Sequence, residues 1–340
     1  MKKTLIDLII PYNSISIIGM SKNAGKTTAL NKILAECRER DIRIGLTSIG
    51  RDGEDIDVVT GTGKPKIYVA KGTLIATATD LLKKSDITKE IVRTTDINTP
   101  MGEVVIVRAR SDGYVQIGGS SIGAQIKGLI SDFKELGADK VLIDGAISRK
   151  TFSSPIISDA AILSTGASLS ADMNRVVRET AFVARLLTLR ALKDGQVSDL
   201  IERFTEPLEK FSAIMTDFSV HGIDISNPAN TPDGAKYIYA SGALSDSVMN
   251  KLVMSNINLR GVKIIVDDGS KIFISEQTFE KVGLKGAEIV VKRPINLLAI
   301  TINPVSASGY AFDKEAFREA LAAQTDISIY NVLDGEEMFE

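Results

Sequence analysis

The chain has 340 residues, of which 44% are hydrophobic and 25% are charged, and its formal net charge is -2. This composition is typical of a globular protein long enough for two domains, and it excludes a strongly basic nucleic-acid-binding protein. A single cysteine and a single histidine exclude an internal disulfide and a histidine-rich metal cluster. Because no apolar run approaches the roughly 20 residues of a spanning helix, we expect a cytoplasmic protein with neither nucleic acid nor membrane as partner.

The first pattern along the chain is an apolar strand, a glycine-bounded turn and a helix. The strand contains Ile15, Ile17 and Ile18, and residues 19–28 read Gly-Met-Ser-Lys-Asn-Ala-Gly-Lys-Thr-Thr. The helix that follows has apolar residues at helical spacing on one face, namely Leu30, Ile33, Leu34 and Cys37. This arrangement predicts a phosphate-binding loop for a nucleoside triphosphate, in which backbone N–H groups and the helix N-terminus hold the phosphates. It also predicts that Cys37 packs in the core and does not react.

The nucleotide-binding assignment covers nearly all of this turn: Gly19, Ser21, Lys22, Asn23, Ala24, Gly25, Lys26, Thr27 and Thr28. Lys26 is expected to neutralise the β- and γ-phosphates, and the Thr27 hydroxyl to bind Mg²⁺. The usual motif has four residues between its two glycines, whereas five separate Gly19 from Gly25. Either Met20 replaces the first glycine or Gly19 absorbs a one-residue shift. The other interpretation is a Gly-Lys-Thr tripeptide that only begins a helix.

Residues 42–49 predict a second apolar strand, which ends in an acidic loop containing Asp52, Glu54 and Asp55. The carboxyl ends of parallel strands share one edge of a sheet, so this loop is expected near the phosphate loop. Asp52 is therefore a candidate for ordering Mg²⁺ or a nucleophilic water. A solvated surface loop is the alternative for all three residues.

Residues 103–108 and 113–117 predict a β-hairpin whose turn is Ser111-Asp112-Gly113. Gly118-Gly119-Ser120-Ser121 then precedes a helical pattern between residues 122 and 136. The N–H groups and hydroxyls at this helix start are a possible second anion site, and an ordinary serine N-cap explains the sequence equally well.

Residues 140–144 predict an apolar strand that ends at Asp144. An aspartate in this position is typical of a Walker B element, which binds Mg²⁺ directly or through water, and the alternative is an aspartate that only starts a turn. Strands and helices alternate throughout, which predicts an α/β fold with a mostly parallel, doubly wound sheet of P-loop NTPase type in residues 1–195. The candidate catalytic residues are Lys26, Asp52 and Asp144, and the candidate metal ligands are Thr27, Asp52 and Asp144.

Residues 193–206 are polar and charged, which predicts a linker or a helical bridge. The alternation of strands and helices then resumes, so residues 205–340 predict a second α/β domain that contacts a partner or a substrate. Asn303-Pro304 ends one of its strands. An asparagine there is a possible contact for a base or a partner, and a plain strand-to-loop break explains it as well.

The first half of the chain resembles P-loop NTPases of the group that contains dethiobiotin synthetase and metal-chaperone NTPases. Residues 19–28, the acidic loop and Asp144 carry that resemblance. Over most of its length the chain resembles the family of smaller subunits of the lysine 5,6-aminomutase reactivase. This second resemblance rests on residues 19–28, 141–150 and 302–306.

The resemblance implies a reactivating, chaperone-like ATPase that uses ATP and Mg²⁺. The aminomutase uses adenosylcobalamin and pyridoxal phosphate, and its radical chemistry can leave a damaged cobalamin in place. A reactivase would drive the release or exchange of that cofactor, with lysine 5,6-aminomutase and a second reactivase subunit as partners. Two other classes stay open at this point: an ATP-dependent small-molecule kinase or ligase of dethiobiotin synthetase type, and a nucleotide-binding regulatory module with little turnover. The choice between ATP and GTP also stays open.

Overall fold

The computed structural model describes residues 4–50, 66–145, 154, 157–203, 211–224, 234–255 and 257–333. The chain divides into two compact units, of which the first combines Met1–Ala184 with Asn296–Glu340 and the second is Arg185–Ile295. This division differs from the expected domains 1–195 and 205–340, because the last strands of the chain return to the sheet of the first unit.

The helices and strands are numbered along the chain. Up to the end of the first long stretch they are α1 (Leu5–Ile9), β1 (Ser14–Gly19), α2 (Lys26–Glu39), β2 (Ile44–Ser48), β3 (Ile67–Val69), β4 (Leu74–Ala78), α3 (Thr79–Lys83), β5 (Lys89–Thr99), β6 (Gly102–Ala109), β7 (Gly113–Val115), α4 (Gly123–Glu135), β8 (Lys140–Asp144), β9 (Ala160–Gly166) and α5 (Met173–Leu187). The middle stretch contains α6 (Gly195–Arg203), β10 (Phe211–Ile214), β11 (Val220–Gly222), β12 (Tyr237–Ala240), β13 (Leu244–Ser245), α7 (Asp246–Met254), β14 (Lys263–Val266), β15 (Ile272–Phe273), α8 (Glu276–Leu284) and β16 (Glu288–Val291). The last stretch contains β17 (Leu297–Asn303), α9 (Lys314–Ala322) and β18 (Ile329–Asn331).

The first unit is built on a nine-stranded sheet with the order β18-β17-β9-β1-β8-β2-β4-β6-β5. All neighbours from β18 to β4 are parallel, and β4–β6 and β6–β5 are antiparallel. The alternation within β8 shows that helices cover both faces, since Leu142 packs in one core with α1 and α2 while Val141 and Ile143 pack in the other with α4. The expected α/β class with a mostly parallel sheet is therefore confirmed.

The predicted hairpin of residues 103–108 and 113–117 is wrong. β6 pairs with β4 and β5, and β7 pairs with β3 in a separate two-stranded ribbon. The chain turns toward β3 because the Asp112 carboxylate accepts the backbone N–H of Lys71 at 2.7 Å. Tyr68 and Tyr114 then meet edge to face across the ribbon, with ring centres 5.3 Å apart. These contacts join residues about 40 positions apart in the sequence, which a local turn pattern does not encode.

The second unit contains a five-stranded sheet with the order β11-β10-β12-β14-β16. β12, β14 and β16 are parallel, and β10 is antiparallel to both of its neighbours. The predicted polar bridge contains α6, whose buried Val197 and Ile201 pack against Tyr237, Tyr239 and other strand residues. Among the described residues of both units, no helix combines the length and the apolarity that crossing a bilayer requires.

Candidate functional site

The backbone between β1 and α2 has the shape of an anion-binding turn. Asn23 and Gly25 both adopt left-handed conformations, with φ of 58° and 89°, and Gly25 is the N-cap of α2. Asparagine and glycine are the residues that tolerate this region best. Left-handed residues that alternate with ordinary ones turn successive N–H groups toward a common point, where a helix N-terminus adds a partial positive charge. The 19–28 loop is thus suited to bind an anion.

Met20 resolves the unusual spacing of the loop. Its backbone N–H donates to the carbonyl of Ser164 at 2.9 Å, which extends the pairing of β1 with β9 by one residue. Its φ is not positive, unlike those of Asn23 and Gly25. A glycine is therefore not needed at this position, and the departure from the usual spacing carries no backbone strain.

Lys26 folds back over the beginning of the loop. A Cβ atom built on Gly19 would lie 2.9 Å from Lys26 Cδ and 3.0 Å from Lys26 Nζ. The ammonium group therefore lies beside the end of β1, on the same side as the loop that follows. Only a residue without a side chain at position 19 leaves this space to the lysine. Glycine is therefore required at position 19 by the space that Lys26 occupies and not by the backbone conformation.

Asp144 ends β8 in the centre of the sheet. It is the register partner of Ile17 in β1 and of Ser48 in β2. The ladder continues past it, because Gly145 N–H donates to the carbonyl of Ile17 at 2.8 Å and Ile49 N–H donates to the carbonyl of Asp144 at 2.9 Å. The aspartate is therefore held between two parallel strands, at the carboxyl ends of the strands, where the 19–28 loop begins.

Two loops from later parts of the chain flank the 19–28 loop. Ser168, after β9, exchanges a hydrogen bond with the Ser21 hydroxyl at 2.9 Å. Asn303, at the end of β17, donates from Nδ2 to the carbonyl of Asn23 at 3.4 Å, and its Cβ lies 3.0 Å from where a Cβ on Gly25 would be. Sequence reasoning missed Ser168, and it singled out Asn303 without placing it here. Their signal in the sequence is a polar residue after an apolar strand, which does not say which strands are neighbours.

The other predicted site residues have different outcomes. Asp52 lies outside the described residues, as do Glu54 and Asp55. Ser120, in the predicted second anion site, uses its hydroxyl locally, because it bonds to Gln125 and accepts the N–H of Ile122 at 2.9 Å. Ser120 is therefore not the N-cap of α4, which is Ile122 without a side-chain capping bond, and its hydroxyl is used within the turn before the helix.

The chemistry of the donor set fits Mg²⁺. Within the described parts of the chain, no group of three histidine, cysteine or acidic side chains is arranged to hold a metal. Mg²⁺ does not require such a cage, since it usually keeps several waters and takes one or two protein oxygens together with substrate phosphates. The hydroxyl of Thr27, in the first turn of α2, and the carboxylate of Asp144 are oxygen ligands of this kind.

The two ends of α2 have different surroundings. Lys22 and Lys26 bring positive charge to the loop and to the N-terminus of the helix. Near the other end of α2, burial raises the pKa of the Cys37 thiol to about 12. The prediction that Cys37 packs and does not react is consistent with this shift, because the thiolate is the reactive form.

Comparisons of the chain with protein-family models, curated proteins and solved structures find no match.

Proposed function

We propose that the chain binds and hydrolyses a nucleoside triphosphate at the 19–28 loop, in the manner of a P-loop NTPase. The observation that carries this proposal is the Lys26 side chain, which lies back over Gly19 at the start of a loop with two left-handed residues. A lysine in this place, beside backbone N–H groups and a helix N-terminus, is suited to the β- and γ-phosphates.

The proposed roles follow from the positions of the side chains. Backbone N–H groups of the loop bind phosphate oxygens, and Lys26 neutralises the charge that develops on the transferred phosphoryl group. Thr27 and Asp144 would hold Mg²⁺, which supplies further charge neutralisation on the phosphates when it is bound. Asp52 keeps its proposed role of orienting a water or the metal.

We further propose that nucleotide turnover serves to reactivate an adenosylcobalamin-dependent aminomutase. Two of the three segments that carry the resemblance to the reactivase family meet at one sheet edge, since Asn303 contacts Asn23 and a Cβ at Gly25 would approach it. The third segment begins in β8 and includes Asp144, beside β1. In this proposal, the second unit or the segments beyond the described residues contact the client protein and the second reactivase subunit.

Calorimetric titration of ATP and GTP, with Mg²⁺, tests the nucleotide site. The Lys26→Ala variant is expected to lose nucleotide binding while its circular dichroism spectrum stays that of the parent. Lys127→Ala is the matched control, because Lys127 is an exposed lysine on α4. Equal affinity of the parent and the Lys26→Ala variant would contradict the proposal.

The client is tested separately by measuring phosphate release with and without purified lysine 5,6-aminomutase that carries inactivated cobalamin. Stimulation of hydrolysis by the aminomutase, abolished in Lys26→Ala, supports a reactivase. Phosphate transfer to a metabolite in place of water indicates a kinase or ligase. Nucleotide binding without turnover, with or without the aminomutase, indicates a regulatory module.

A further inference from the structure

A cluster of charged side chains lies at the carboxyl ends of the parallel strands in the second unit. β14 and β16 end at register partners, so the next residues, Asp267 and Lys292, are neighbours on adjacent strands. The ladder continues through them, because the N–H of Lys292 donates to the carbonyl of Val266 and the N–H of Arg293 to that of Asp267, both at 2.9 Å. Open parallel sheets bind their ligands outside the carboxyl ends of the strands.

The Asp267 carboxylate is occupied by other partners. Its Oδ1 accepts a hydrogen bond from the Tyr239 hydroxyl at 2.8 Å, and its Oδ2 pairs with Lys271. The turn that carries these residues is held in place, because the fully buried Asp268 accepts the N–H of Ser270 at 2.9 Å. The hydrogen bonds of Asp267 thus go to Tyr239 and Lys271, and Lys292, the residue after β16, takes no part in them.

Lys292 is the unusual member of the cluster. Its side chain is only 7% exposed, yet the carboxylate paired with it, that of Glu202, is 3.9 Å from Nζ, which is longer than a hydrogen bond. Glu202 is instead hydrogen-bonded by Arg293 at 3.0 Å. The ring of Tyr239 covers the ammonium, with its centre 6.0 Å from Nζ. An ammonium has three donors, and among the described residues this one has no carboxylate within hydrogen-bond distance.

The balance of charge around Lys292 is positive. The groups that face it are Glu202 on α6, Asp267 after β14, Lys271 on the following turn, and Arg293. Among these groups three cations face two carboxylates, and Asp268, the buried carboxylate on the same turn, is bonded to Ser270. Burial lowers the pKa of Lys292, and the opposing effect of Asp267 and Glu202 does not offset it.

We propose that Lys292 and Arg293 bind an oxyanion, the phosphate or carboxylate group of a small ligand, at the carboxyl ends of β14 and β16. The anion gives the Lys292 ammonium a charged acceptor within hydrogen-bond distance, which Glu202 at 3.9 Å does not provide. Arg293, whose side chain is 42% exposed, is open to the approach of the ligand, and a guanidinium binds two oxygens of one anion at once. This site is in the second unit and does not depend on nucleotide binding at the 19–28 loop.

The test uses the full chain carrying Lys26→Ala, so that the proposed nucleotide site contributes as little as possible to anion binding. Inorganic phosphate is titrated by ³¹P NMR in a buffer of low ionic strength, and acetate is titrated by calorimetry, which separates the two kinds of oxyanion. Lys292→Met removes the ammonium and keeps an apolar stem of similar length, while Arg293→Gln changes a more exposed position. Lys285→Met is the control, since Lys285 is an exposed lysine of the same unit.

We expect Lys292→Met and Arg293→Gln each to weaken binding about tenfold or more, the effect of losing one hydrogen bond to a charged group, and Lys285→Met to leave it unchanged. Binding that is equal in the parent and in both variants, or absent for both anions, would overturn the proposal. If Lys292→Met does not fold, the Arg293→Gln result decides. Nucleotide binding by the chain with Lys26 intact is measured separately, so failure of one site is not mistaken for failure of the other.

Discussion

Adding one methyl group at Gly19 should separate the function of the 19–28 loop from the stability of the fold. The new Cβ of Gly19→Ala would lie 2.9 Å from Cδ and 3.0 Å from Nζ of Lys26, too close for the side chain to stay where it is. The atoms it meets belong to the flexible end of a lysine, and the φ of Gly19 is outside the left-handed region. The lysine should therefore move while the backbone stays in place.

The size of the effect follows from the contact that is lost. A hydrogen bond from Lys26 to a phosphate oxygen contributes about 1.5–3 kcal/mol, so its loss should raise the Kd for nucleotide roughly 10- to 160-fold. Gly128→Ala is the matched control, because Gly128 is exposed within α4 and a Cβ there meets nothing within 4 Å. That change should raise the free energy of unfolding by about 0.5–1 kcal/mol and leave the nucleotide affinity unchanged.

Calorimetric titration gives the Kd and chemical denaturation gives the free energy of unfolding for the parent and both variants. If Gly19→Ala binds nucleotide as tightly as the parent while Lys26→Ala does not bind, the position of the lysine over Gly19 is irrelevant to binding. If Gly19→Ala unfolds, the Lys26 side chain cannot move away from the new methyl group without disrupting the fold. Either result refutes the reasoning from this contact.

Three further predictions concern single side chains. Asp144→Asn should lower Mg²⁺-dependent turnover more than nucleotide affinity, and unchanged phosphate release would remove Asp144 from the site. Because burial raises the pKa of Cys37 to about 12, a thiol reagent at pH 8 should label it only in denaturant; rapid labelling of the folded protein would contradict this. Lys292→Met should leave stability unchanged or raise it at pH 7, since Asp267 and Glu202 keep their other partners. The pKa of Lys292 is lower in the folded protein than the 10.5 of the unfolded chain, so between these two pKa values the unfolded chain binds more protons. The free energy of unfolding of the parent, relative to that of Lys292→Met, should therefore increase with pH in that interval. Urea unfolding at pH 7 and pH 10 measures this change.

The parts of the fold that follow from local sequence were predictable. The apolar alternation around Ile17 defines β1, and the helical spacing after Gly25 defines α2 with Cys37 on its buried face. β8 was recognisable in the same way, as an apolar strand that ends in an aspartate. These elements depend on residues within a few positions of one another, which is the range over which periodicity is informative.

The rest depends on contacts between distant residues. β5 is an edge strand with most of its side chains at least partly exposed, so it lacks the apolar pattern of a buried strand. The turn at Asp112 is fixed by the hydrogen bond that it accepts from the N–H of Lys71. The 19–28 loop is contacted by Asn303, which donates to the carbonyl of Asn23, 280 residues away. No local pattern in residues 297–303 distinguishes a strand of a second sheet from one that returns to the first.

The late return of the chain has a consequence for how the protein is made. β17 and β18 are synthesised after all the other strands of this sheet, and β17 lies between β9 and β18. A ribosome that has translated only as far as Ile295 carries a sheet in which β9 is still a bare edge, open to pairing with another polypeptide. A fragment cut at residue 195 keeps that edge permanently, so biochemical work on the N-terminal half requires residues 296–333 to be supplied by a short tether or as a separate peptide.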